Sequence, residues 1–465
     1  MDEDTSDHDF FPAGPQYYAK YYVNGFRSLH DFNIRLEEGL NVFSGPNGSG
    51  KTNFIDFLDF ISILLIRGTA AATSHLGGLS RVFSQETLKS KRPRLHAQIC
   101  GLADLKPFVQ KTEDRTLFRY EYDVDIRFSK QHSTMYIASE NIKFKAAFWD
   151  DLAVYAERTI GSISLRRKAP TDDSEPIWEV GKRLLTRGPR NPFRYRSRTG
   201  LAANNKSFSE EILDAPRLAP DESFLSLRPS WPAIDAVRAS LSRGRSFNLV
   251  PSSARSPDDL SRPPMISVDG SGLSATLYQM QQFKKSARPS RSVYLPNISK
   301  DSLDTVISWT SLVLPELIDI STIADPQTGK YISYLVLSSD DHSLRIPLQS
   351  ASDGTLKWLS FVCLINGHGS IYSLEEPENY LHPRMQTFLI SLIRESLSSK
   401  HPGYFILTTH SETIINQCNP EELILFDFKG GRTTIKRLDN PDTVRDQINK
   451  TGFGLGYYYA ANAIS

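Results

Sequence analysis

The 465-residue sequence has few cysteines, no long hydrophobic run and almost no net charge. Its three cysteines are far apart and odd in number, which excludes a disulfide framework and a CxxC zinc site. The most apolar stretch, residues 54–66, is interrupted by two aspartates and is too short to span a bilayer. Because no apolar run follows the acidic start of the sequence, we expect no signal peptide. These absences predict a soluble protein of a reducing cytoplasm, with no membrane contact.

The charge balance is an average over two unlike regions. Lys and Arg number 54 against 53 Asp and Glu, a formal charge of +1. Residues 151–300 contain 24 basic and 15 acidic residues, a local charge of +9, which leaves −8 for the rest of the chain. They also contain 14 of the 27 prolines, and interior prolines break helices, which excludes one long coiled coil. We predict an inserted, basic, mainly helical lobe at residues 151–300, between two parts of one α/β body at residues 1–150 and 301–465.

One glycine-rich segment has a specific pattern. Residues 45–52 read GPNGSGKT and fit GxxxxGK[ST], between a predicted strand at residues 39–44 and a predicted helix at residues 53–66. In such a P-loop, backbone N–H groups surround the phosphates of a nucleotide, Lys51 contacts the β- and γ-phosphates, and the Thr52 hydroxyl binds Mg²⁺. The start of the following helix adds a favourable dipole for the same anion. The predicted nucleotide-binding residues are Gly45, Pro46, Asn47, Gly48, Ser49, Gly50, Lys51, Thr52 and Asn53.

Two adjacent acidic residues follow a second apolar run. Residues 371–374 read IYSL and precede Glu375 and Glu376. Since α/β sheets bind ligands at the carboxyl ends of their strands, we expect Glu375 to hold Mg²⁺ and Glu376 to polarise an attacking water. The alternative is an acidic turn with solvated carboxylates.

Two further segments follow in the order that such a site needs. Residues 351–355 read ASDGT and precede a predicted helix, whose start can bind an anion; Ser and Asp are equally good helix N-caps. A predicted strand at residues 404–408 ends near His410, where a γ-phosphate contact could form, although a lone histidine is more often structural. The alternation of strands and helices predicts a largely parallel sheet covered on both faces.

The order of these motifs resembles the ABC-type ATPase heads of the SMC, RecF and OLD (overcoming lysogenization defect) group. The likeness is greatest to stand-alone ATPases of bacterial anti-phage systems such as Septu and PARIS, and it covers residues 17–66 and 340–415. The motifs that carry it are GFRS at 25–28, the P-loop, SDGT at 352–355, EEPE at 375–378, LHP at 381–383 and THS at 409–411, with DGSGLSATL at 269–277 as a weaker addition.

The resemblance implies a P-loop head with a mixed sheet flanked by helices and an antiparallel β subdomain. Two heads would pair in opposed orientation, with each ATP held between the P-loop of one and the SDGT signature of the other. The signature departs from the transporter-like SGGQ, Glu375 replaces an aspartate, and no glutamine loop is assigned. The resemblance assigns Arg27, Ser352, Asp353 and Gly354 to the nucleotide, Thr52 and Glu375 to Mg²⁺, and Lys51, Glu376 and His410 to hydrolysis.

A basic run within residues 182–198 contains no acidic residue. It could bind DNA or RNA phosphates, with Phe193 and Tyr195 stacking on bases. It could equally be a solvated loop, or dock an acidic protein such as a phage trigger. The basic residues are Lys182, Arg183, Arg187, Arg190, Arg194, Arg196 and Arg198.

The function that these features favour is an ATP-dimerised sensor and scaffold subunit of a bacterial anti-phage complex. Only 55 residues follow His410, too few for the Toprim nuclease domain of OLD nucleases, so we expect a separately encoded nuclease or toxin as the effector. The aromatic segment 452–459 could dock that effector or cap the protein's own core. The alternative is a RecF- or SMC-like DNA-repair ATPase. A transporter subunit ranks last, because 324 positions separate Lys51 from Glu375.

Overall fold

The computed structural model divides the chain into two compact units. One comprises Met1–Glu38 and Asp56–Ser242, and the other Gly39–Ile55 and Arg243–Ser465. The structure describes residues 19–105, 117–145, 159–168, 177–180, 218–227, 231–242, 245–286, 298–339, 342–367, 373–398 and 403–461.

Strands dominate the first part of the chain, and helices are more frequent in the second. The strands are β1 (Ala19–Asn24), β2 (Phe32–Leu36), β3 (Gly39–Ser44), β4 (Arg94–Asp104), β5 (Leu117–Ser129), β6 (Thr134–Lys145), β7 (Thr159–Arg166), β8 (Ile177–Val180), β9 (Ser246–Phe247), β10 (Asp258–Asp259), β11 (Leu317–Asp325), β12 (Lys330–Ser338), β13 (Ser343–Pro347), β14 (Ser373–Glu375), β15 (Tyr404–Thr408), β16 (Leu423–Lys429) and β17 (Arg432–Arg437). The helices are α1 (Lys51–His75), α2 (Gln85–Lys89), α3 (Pro232–Ser242), α4 (Pro251–Arg255), α5 (Leu273–Lys285), α6 (Ser302–Ser311), α7 (Asp353–Gly367), α8 (Pro383–Ser398), α9 (Glu412–Ile415), α10 (Pro441–Thr451) and α11 (Leu455–Ala460).

The first unit is built on one antiparallel sheet in the order β2-β1-β4-β5-β6-β7-β8. Buried and accessible side chains alternate along β1, as expected for a sheet with one packed face. Phe26, which follows β1, packs against two rings of α1: its centroid lies 5.6 Å from that of Phe57 and 5.8 Å from that of Phe60. These aromatic contacts anchor α1 beside the end of β1.

The second unit contains a six-stranded sheet in the order β17-β16-β3-β15-β14-β9. Neighbouring strands from β16 to β9 pair in parallel, and β17 pairs antiparallel with β16 at one edge. β3 and β15 are almost wholly buried, which is typical of parallel strands covered on both faces. The largely parallel sheet that the sequence predicts is therefore confirmed.

Helix α7 forms the centre of this unit's core. Trp358, Leu359 and Phe361 are each at most 1% exposed, and the Trp358 Nε1–H donates to the carbonyl of Trp309 at 3.2 Å. A helix that is apolar on every side is a core helix. A smaller antiparallel sheet, β10-β12-β11 with β13 also paired to β12, completes the unit. A largely parallel sheet that contains the P-loop strand, separate antiparallel sheets and helices agree with the predicted mixed α/β class.

The described residues of region 151–300 are divided between the two units, whereas the sequence predicts one mainly helical inserted lobe. β7 and β8 extend the antiparallel sheet of the first unit, with Ile163 opposite Ile142 of β6. The reason is local: apolar and small polar residues alternate through β7, a period that favours a strand. A proline count over the whole region does not show that two short segments within it form strands. The basic run 182–198 lies outside the described residues.

Within the described residues, each helix is either too short or too polar to cross a lipid bilayer.

Candidate functional site

Three parallel strands of the second unit end at one edge of the sheet. In the registers of β14 with β15 and of β15 with β3, Glu375 lies beside Thr408, and Thr408 beside Phe43. The P-loop leaves β3 at this edge, the acidic pair leaves β14, and His410 follows β15. The carboxyl ends of parallel strands thus bring together segments that are more than 300 positions apart in sequence.

The P-loop needs glycine at two positions for steric reasons. Gly45 has φ +147°, and a Cβ there would lie 2.1 Å from the carbonyl oxygen of Phe426. Gly50 has φ +101°, and a Cβ there would lie 1.9 Å from Oγ1 of Thr433. Both positions therefore exclude any side chain, and they hold the loop close against β16 and β17.

Lys51, the first residue of α1, is turned back into the loop that precedes it. Its side-chain Nζ donates to the carbonyls of Gly45 at 2.6 Å and Pro46 at 3.2 Å, and it lies 3.1 Å from Nε2 of His410. The residue is 7% exposed, and burial lowers the pKa of its ammonium, an effect that Glu376 and Glu378 oppose. The ammonium is thus held by acceptors that a phosphate oxygen could replace.

The other loop residues have the polarity that a phosphate site requires. The Ser49 hydroxyl is buried and has no hydrogen-bond partner among the described residues. Pro46, Asn47 and Gly48 are exposed, and nothing lies within 4 Å of a Cβ built at Gly48. Thr52 is exposed in the first turn of α1, beside the half-buried Asn53. A buried polar atom without a partner and an open backbone turn both fit an anionic ligand.

The two predicted acids differ in environment. Glu375 is half-buried, and its Oε1 accepts a hydrogen bond of 2.6 Å from the Ser246 hydroxyl of β9. Glu376 is exposed and has a left-handed backbone, with φ +42°. Its N–H donates to both the carbonyl and the hydroxyl oxygen of Thr408, at 3.0 and 3.1 Å. Strained backbone of this kind is found where a side chain must be aimed, and Glu376 is anchored to β15 in this conformation.

A third carboxylate, Glu378, joins the acidic turn to the segment that carries His410. Its Oε1 accepts hydrogen bonds from the Thr409 hydroxyl at 2.9 Å and from the His410 N–H at 2.7 Å. Its Oε2 is buried without a partner among the described residues. Sequence reasoning gave Glu378 no role, although its position in EEPE was a visible signal.

His410 is held between this carboxylate and the P-loop lysine. Burial and the neighbouring Lys51 ammonium both lower the pKa of the imidazole. A neutral ring accepts a hydrogen bond from the Lys51 ammonium at Nε2, and its single N–H proton then lies on Nδ1. The geometry therefore brings together Lys51, Glu376, Glu378 and His410, which all interact electrostatically.

The SDGT segment forms the start of α7. The Ser352 hydroxyl accepts a hydrogen bond from the Thr355 N–H at 3.2 Å, as an N-cap does. The Asp353 carboxylate pairs with Arg255 of α4, with 2.6 Å from Nη2 to Oδ1. Gly354 has no room for a side chain, since its Cβ would lie 2.8 Å from the Tyr380 carbonyl. Ser352 and Asp353 are exposed at this helix end, as an anion-binding or partner-binding signature requires.

A buried lysine on the same helix was not foreseen. Lys357 is 1% exposed, and its Nζ donates to the carbonyl of Glu376 at 3.2 Å. Burial lowers its pKa to about 8, although Glu378 and Glu376 oppose the shift. In the sequence this lysine interrupts an apolar helix, which was the available signal.

Arg27 belongs to the first unit, and its role remains a prediction. Its guanidinium pairs with Asp56 and donates to the carbonyl of Arg81, and its N–H donates to the carbonyl of Val82 at 2.9 Å. Its backbone is left-handed, with φ +46°. Among the residues that the structure describes, no cluster of three or more His, Cys, Asp or Glu side chains has the arrangement of a metal site.

The aromatic segment near the end of the sequence packs partly on the protein itself. Leu455 is 2% exposed in the core of the second unit, and the Gly456 N–H donates to the Asn416 side chain at 2.7 Å. Phe453 and Tyr457 stack with centroids 4.3 Å apart and are about half exposed, at 50% and 45%. One face of the segment caps the core, while the other is accessible.

Comparison with known proteins gives one extensive family match and several more limited likenesses. The profile of the family described as "AAA domain, putative AbiEii toxin, Type IV TA system" matches residues 40–416, most of the chain. Over 48 residues the chain is 35% identical to a protein of Corynebacterium jeikeium (strain K411) named "DNA replication and repair protein RecF". That match covers 10% of this chain and 11% of the relative's own length.

Solved SMC head structures are similar at low identity. A crystal structure of an SMC head bound to the C-winged helix domain of ScpA has a TM-score of 0.44 at 14% identity, and covers 92% of this chain and 99% of that one. The SMC head domain from Thermotoga maritima has a TM-score of 0.36 at 9% identity, with 91% and 99% covered. An SMC head with an extended coiled coil, bound to the C-terminal domain of ScpA derived from Pyrococcus furiosus, has a TM-score of 0.41 at 12% identity, with 93% and 100% covered.

Proposed function

We propose that this chain, which belongs to the AAA-domain family that matches residues 40–416, binds ATP with Mg²⁺ and hydrolyses it at the sheet edge of its second unit. The observation that carries the proposal is the convergence of P-loop, acidic turn and histidine, with Lys51 Nζ 3.1 Å from His410 Nε2. A chance glycine-rich turn has no reason to meet an acidic pair and a histidine from two other strands.

The residues present fit a nucleotide and its metal. Lys51 would exchange its loop carbonyls for phosphate oxygens, and the buried Ser49 hydroxyl lies on the same loop without a partner among the described residues. Thr52 and Glu375 offer one hydroxyl and one carboxylate to Mg²⁺, a cation that usually keeps water and phosphate oxygens as its other ligands. The metal would neutralise charge that develops on the phosphate oxygens.

Glu376 is the group that we assign to the attacking water. Its exposed carboxylate accepts one hydrogen bond from the Asn379 amide at 3.1 Å and keeps capacity for a second donor. His410, whose backbone N–H is held by Glu378, would donate a ring N–H to a γ-phosphate oxygen once Lys51 moves to the nucleotide. In this division of roles, Glu376 aligns water and Lys51 stabilises charge.

A composite site between two copies is the second part of the proposal. Ser352 and Asp353 are exposed at the start of α7, a helix of fifteen residues whose dipole favours an anion. We assign this surface to the nucleotide that a second copy holds. Arg27 stays a proposed nucleotide contact, supported by its position in the GFRS motif.

The finer biological role follows from the motif resemblance. We assign the chain to a bacterial anti-phage complex, in which ATP-dependent dimerisation controls a separately encoded nuclease or toxin. Co-expression with the product of the adjacent gene tests this role, since a stable complex is expected and two independent proteins would contradict it. The alternative, a RecF-like role on DNA, is favoured by the 48-residue likeness and predicts tight, ATP-dependent DNA binding by the isolated chain.

Titration with a fluorescent ATP analogue tests the nucleotide site. Lys51→Ala is expected to lose binding, because the ammonium that compensates the phosphates is removed, whereas the surface control Lys330→Ala should bind as the wild type does. Unchanged affinity in Lys51→Ala would refute the P-loop assignment.

Ser352→Arg tests the composite site. The variant should bind ATP as a monomer but not hydrolyse it, because the bulky cation blocks the opposing copy. Full hydrolysis in this variant would exclude a site shared between copies.

A further inference from the structure

Lys357 is a buried ammonium without a carboxylate partner at hydrogen-bond distance among the described contacts. Its hydrogen bond goes to a neutral acceptor, the carbonyl oxygen of Glu376 at 3.2 Å. The rings of Phe361 and Tyr380 each have their centroid 5.7 Å from Nζ and provide a cation–π environment. Burial of a charge is costly unless it is compensated, so a lysine at this place in a core helix calls for a reason beyond packing.

The acceptor is the backbone of the residue to which we assign water activation. The N–H of Glu376 is fixed by Thr408 of β15. Its carbonyl accepts hydrogen bonds from Lys357 of α7 at 3.2 Å and, within the turn, from the Asn379 N–H at 3.3 Å. Both peptide groups around a residue with φ +42° are therefore held from outside the turn. Without the second anchor, the turn can relax towards an ordinary backbone conformation and re-aim the carboxylate.

The same turn touches the start of α7. A Cβ at Gly354 would lie 2.8 Å from the carbonyl of Tyr380, and Asn379 of this turn donates to the Glu376 carboxylate at 3.1 Å. The SDGT end of the helix and the water-activating residue are thus joined within one chain by residues 376–380 and by Lys357, one turn further along α7.

We propose that Lys357 is a positioning residue for Glu376, which couples the SDGT end of α7 to water activation in the same chain. This inference rests on the proposed ATPase function. It assigns no contact with the nucleotide to Lys357. A partner that docks on Ser352 and Asp353 shifts α7, and Lys357 transmits that shift to the Glu376 backbone.

Steady-state kinetics of Lys357→Met provide the test, with Lys284→Met as a matched control on the exposed side of α5. Loss of a charge-assisted hydrogen bond that is needed only for alignment is expected to lower kcat roughly tenfold or more. KM and the affinity for the ATP analogue should stay within about twofold of wild type, because the P-loop is untouched. Wild-type kcat in a folded Lys357→Met protein would overturn the inference.

The pH profile supplies a readout that a packing role would not move. The groups that face Lys357 are the Glu376 and Glu378 carboxylates and the Tyr380 ring. As pH rises through about 8, Lys357 loses its proton, and kcat of the wild type should fall. Lys357→Arg stays charged and should lack this alkaline decline. If Lys357→Met does not fold, this comparison decides: a decline near pH 8 that persists in Lys357→Arg refutes the inference.

The two proposals fail in distinguishable ways. If the wild type does not hydrolyse ATP and Glu376→Gln changes nothing, the proposed function is wrong. If Glu376→Gln removes hydrolysis while Lys357→Met retains it, only the role of Lys357 is wrong.

Discussion

Two glycines of the P-loop provide a matched pair for a stability prediction. Gly48 and Gly50 both have positive φ, at +79° and +101°, so an alanine at either position costs about 1–2 kcal/mol of backbone strain. They differ in space: nothing lies within 4 Å of a Cβ at Gly48, whereas a Cβ at Gly50 would lie 1.9 Å from Oγ1 and 2.8 Å from Cγ2 of Thr433. The clash is with a side chain that is 2% exposed and cannot simply swing away.

In Gly50→Ala this backbone strain adds to an overpacking cost of about 1–3 kcal/mol. The free energy of unfolding should therefore fall by roughly 2–5 kcal/mol in all. In Gly48→Ala the free energy of unfolding should fall by only about 1–2 kcal/mol, because strain is the sole cost. Urea unfolding of both variants measures the difference through the transition midpoint at constant slope. Thr433→Ala in the Gly50→Ala background removes the two nearest atoms and should recover part of the loss. Equal losses in Gly48→Ala and Gly50→Ala, or no recovery in the double variant, would refute the reasoning.

Two other predictions follow from charged pairs in the second unit. Arg255 pairs with Asp353 at the start of α7 and also donates to the carbonyls of Gln349 and Ala351 at 2.5 and 2.8 Å, so Arg255→Ala should weaken ATP-dependent dimerisation. Adding Asp353→Asn should recover the part of the loss that comes from the unpaired carboxylate. Light scattering with ATP measures both variants, and no recovery at all in the double variant would contradict the charge explanation. The pKa of Lys357 is about 8 in the folded chain against a usual 10.5, so between these pH values the unfolded chain binds more protons than the folded one. The free energy of unfolding of the wild type should therefore rise with pH in this range, relative to that of Lys357→Met. A pH-independent difference between the two in urea unfolding would contradict this prediction.

The sheet edge could be predicted from sequence because its signals are local. A glycine pattern between a strand and a helix, and acids or histidine directly after apolar runs, identify residues that parallel strands bring together at their carboxyl ends. Strand order was not needed for this prediction, since neighbouring parallel strands end at the same edge. For that reason Lys51, Glu376 and His410 could be grouped before their distances were known.

The supporting residues could not be predicted, because their partners are distant in sequence. Lys357 bonds a carbonyl 19 positions away, Glu378 bonds an N–H 32 positions away, and Arg255 pairs with a carboxylate 98 positions away. No local pattern encodes such pairs, and a lysine or arginine is assumed to be solvated by default. Pairs of this kind become visible only when the packed neighbours are known.

The division of the chain was also beyond a compositional analysis. Charge and proline content averaged over residues 151–300 suggested one lobe, but β7 pairs with β6 through an alternation only eight residues long. A strand that completes a neighbouring sheet is specified by register with its partner rather than by composition.

Glu376→Gln tests the central claim most directly. The variant keeps the side-chain shape and the backbone anchors but loses the carboxylate that we assign to the attacking water. It should bind the ATP analogue with wild-type affinity, and its rate of phosphate release should fall by roughly a hundredfold or more. In the presence of ATP, light scattering should show that it remains a dimer. Hydrolysis at the wild-type rate, with no ATP-dependent change in mass, would contradict the account.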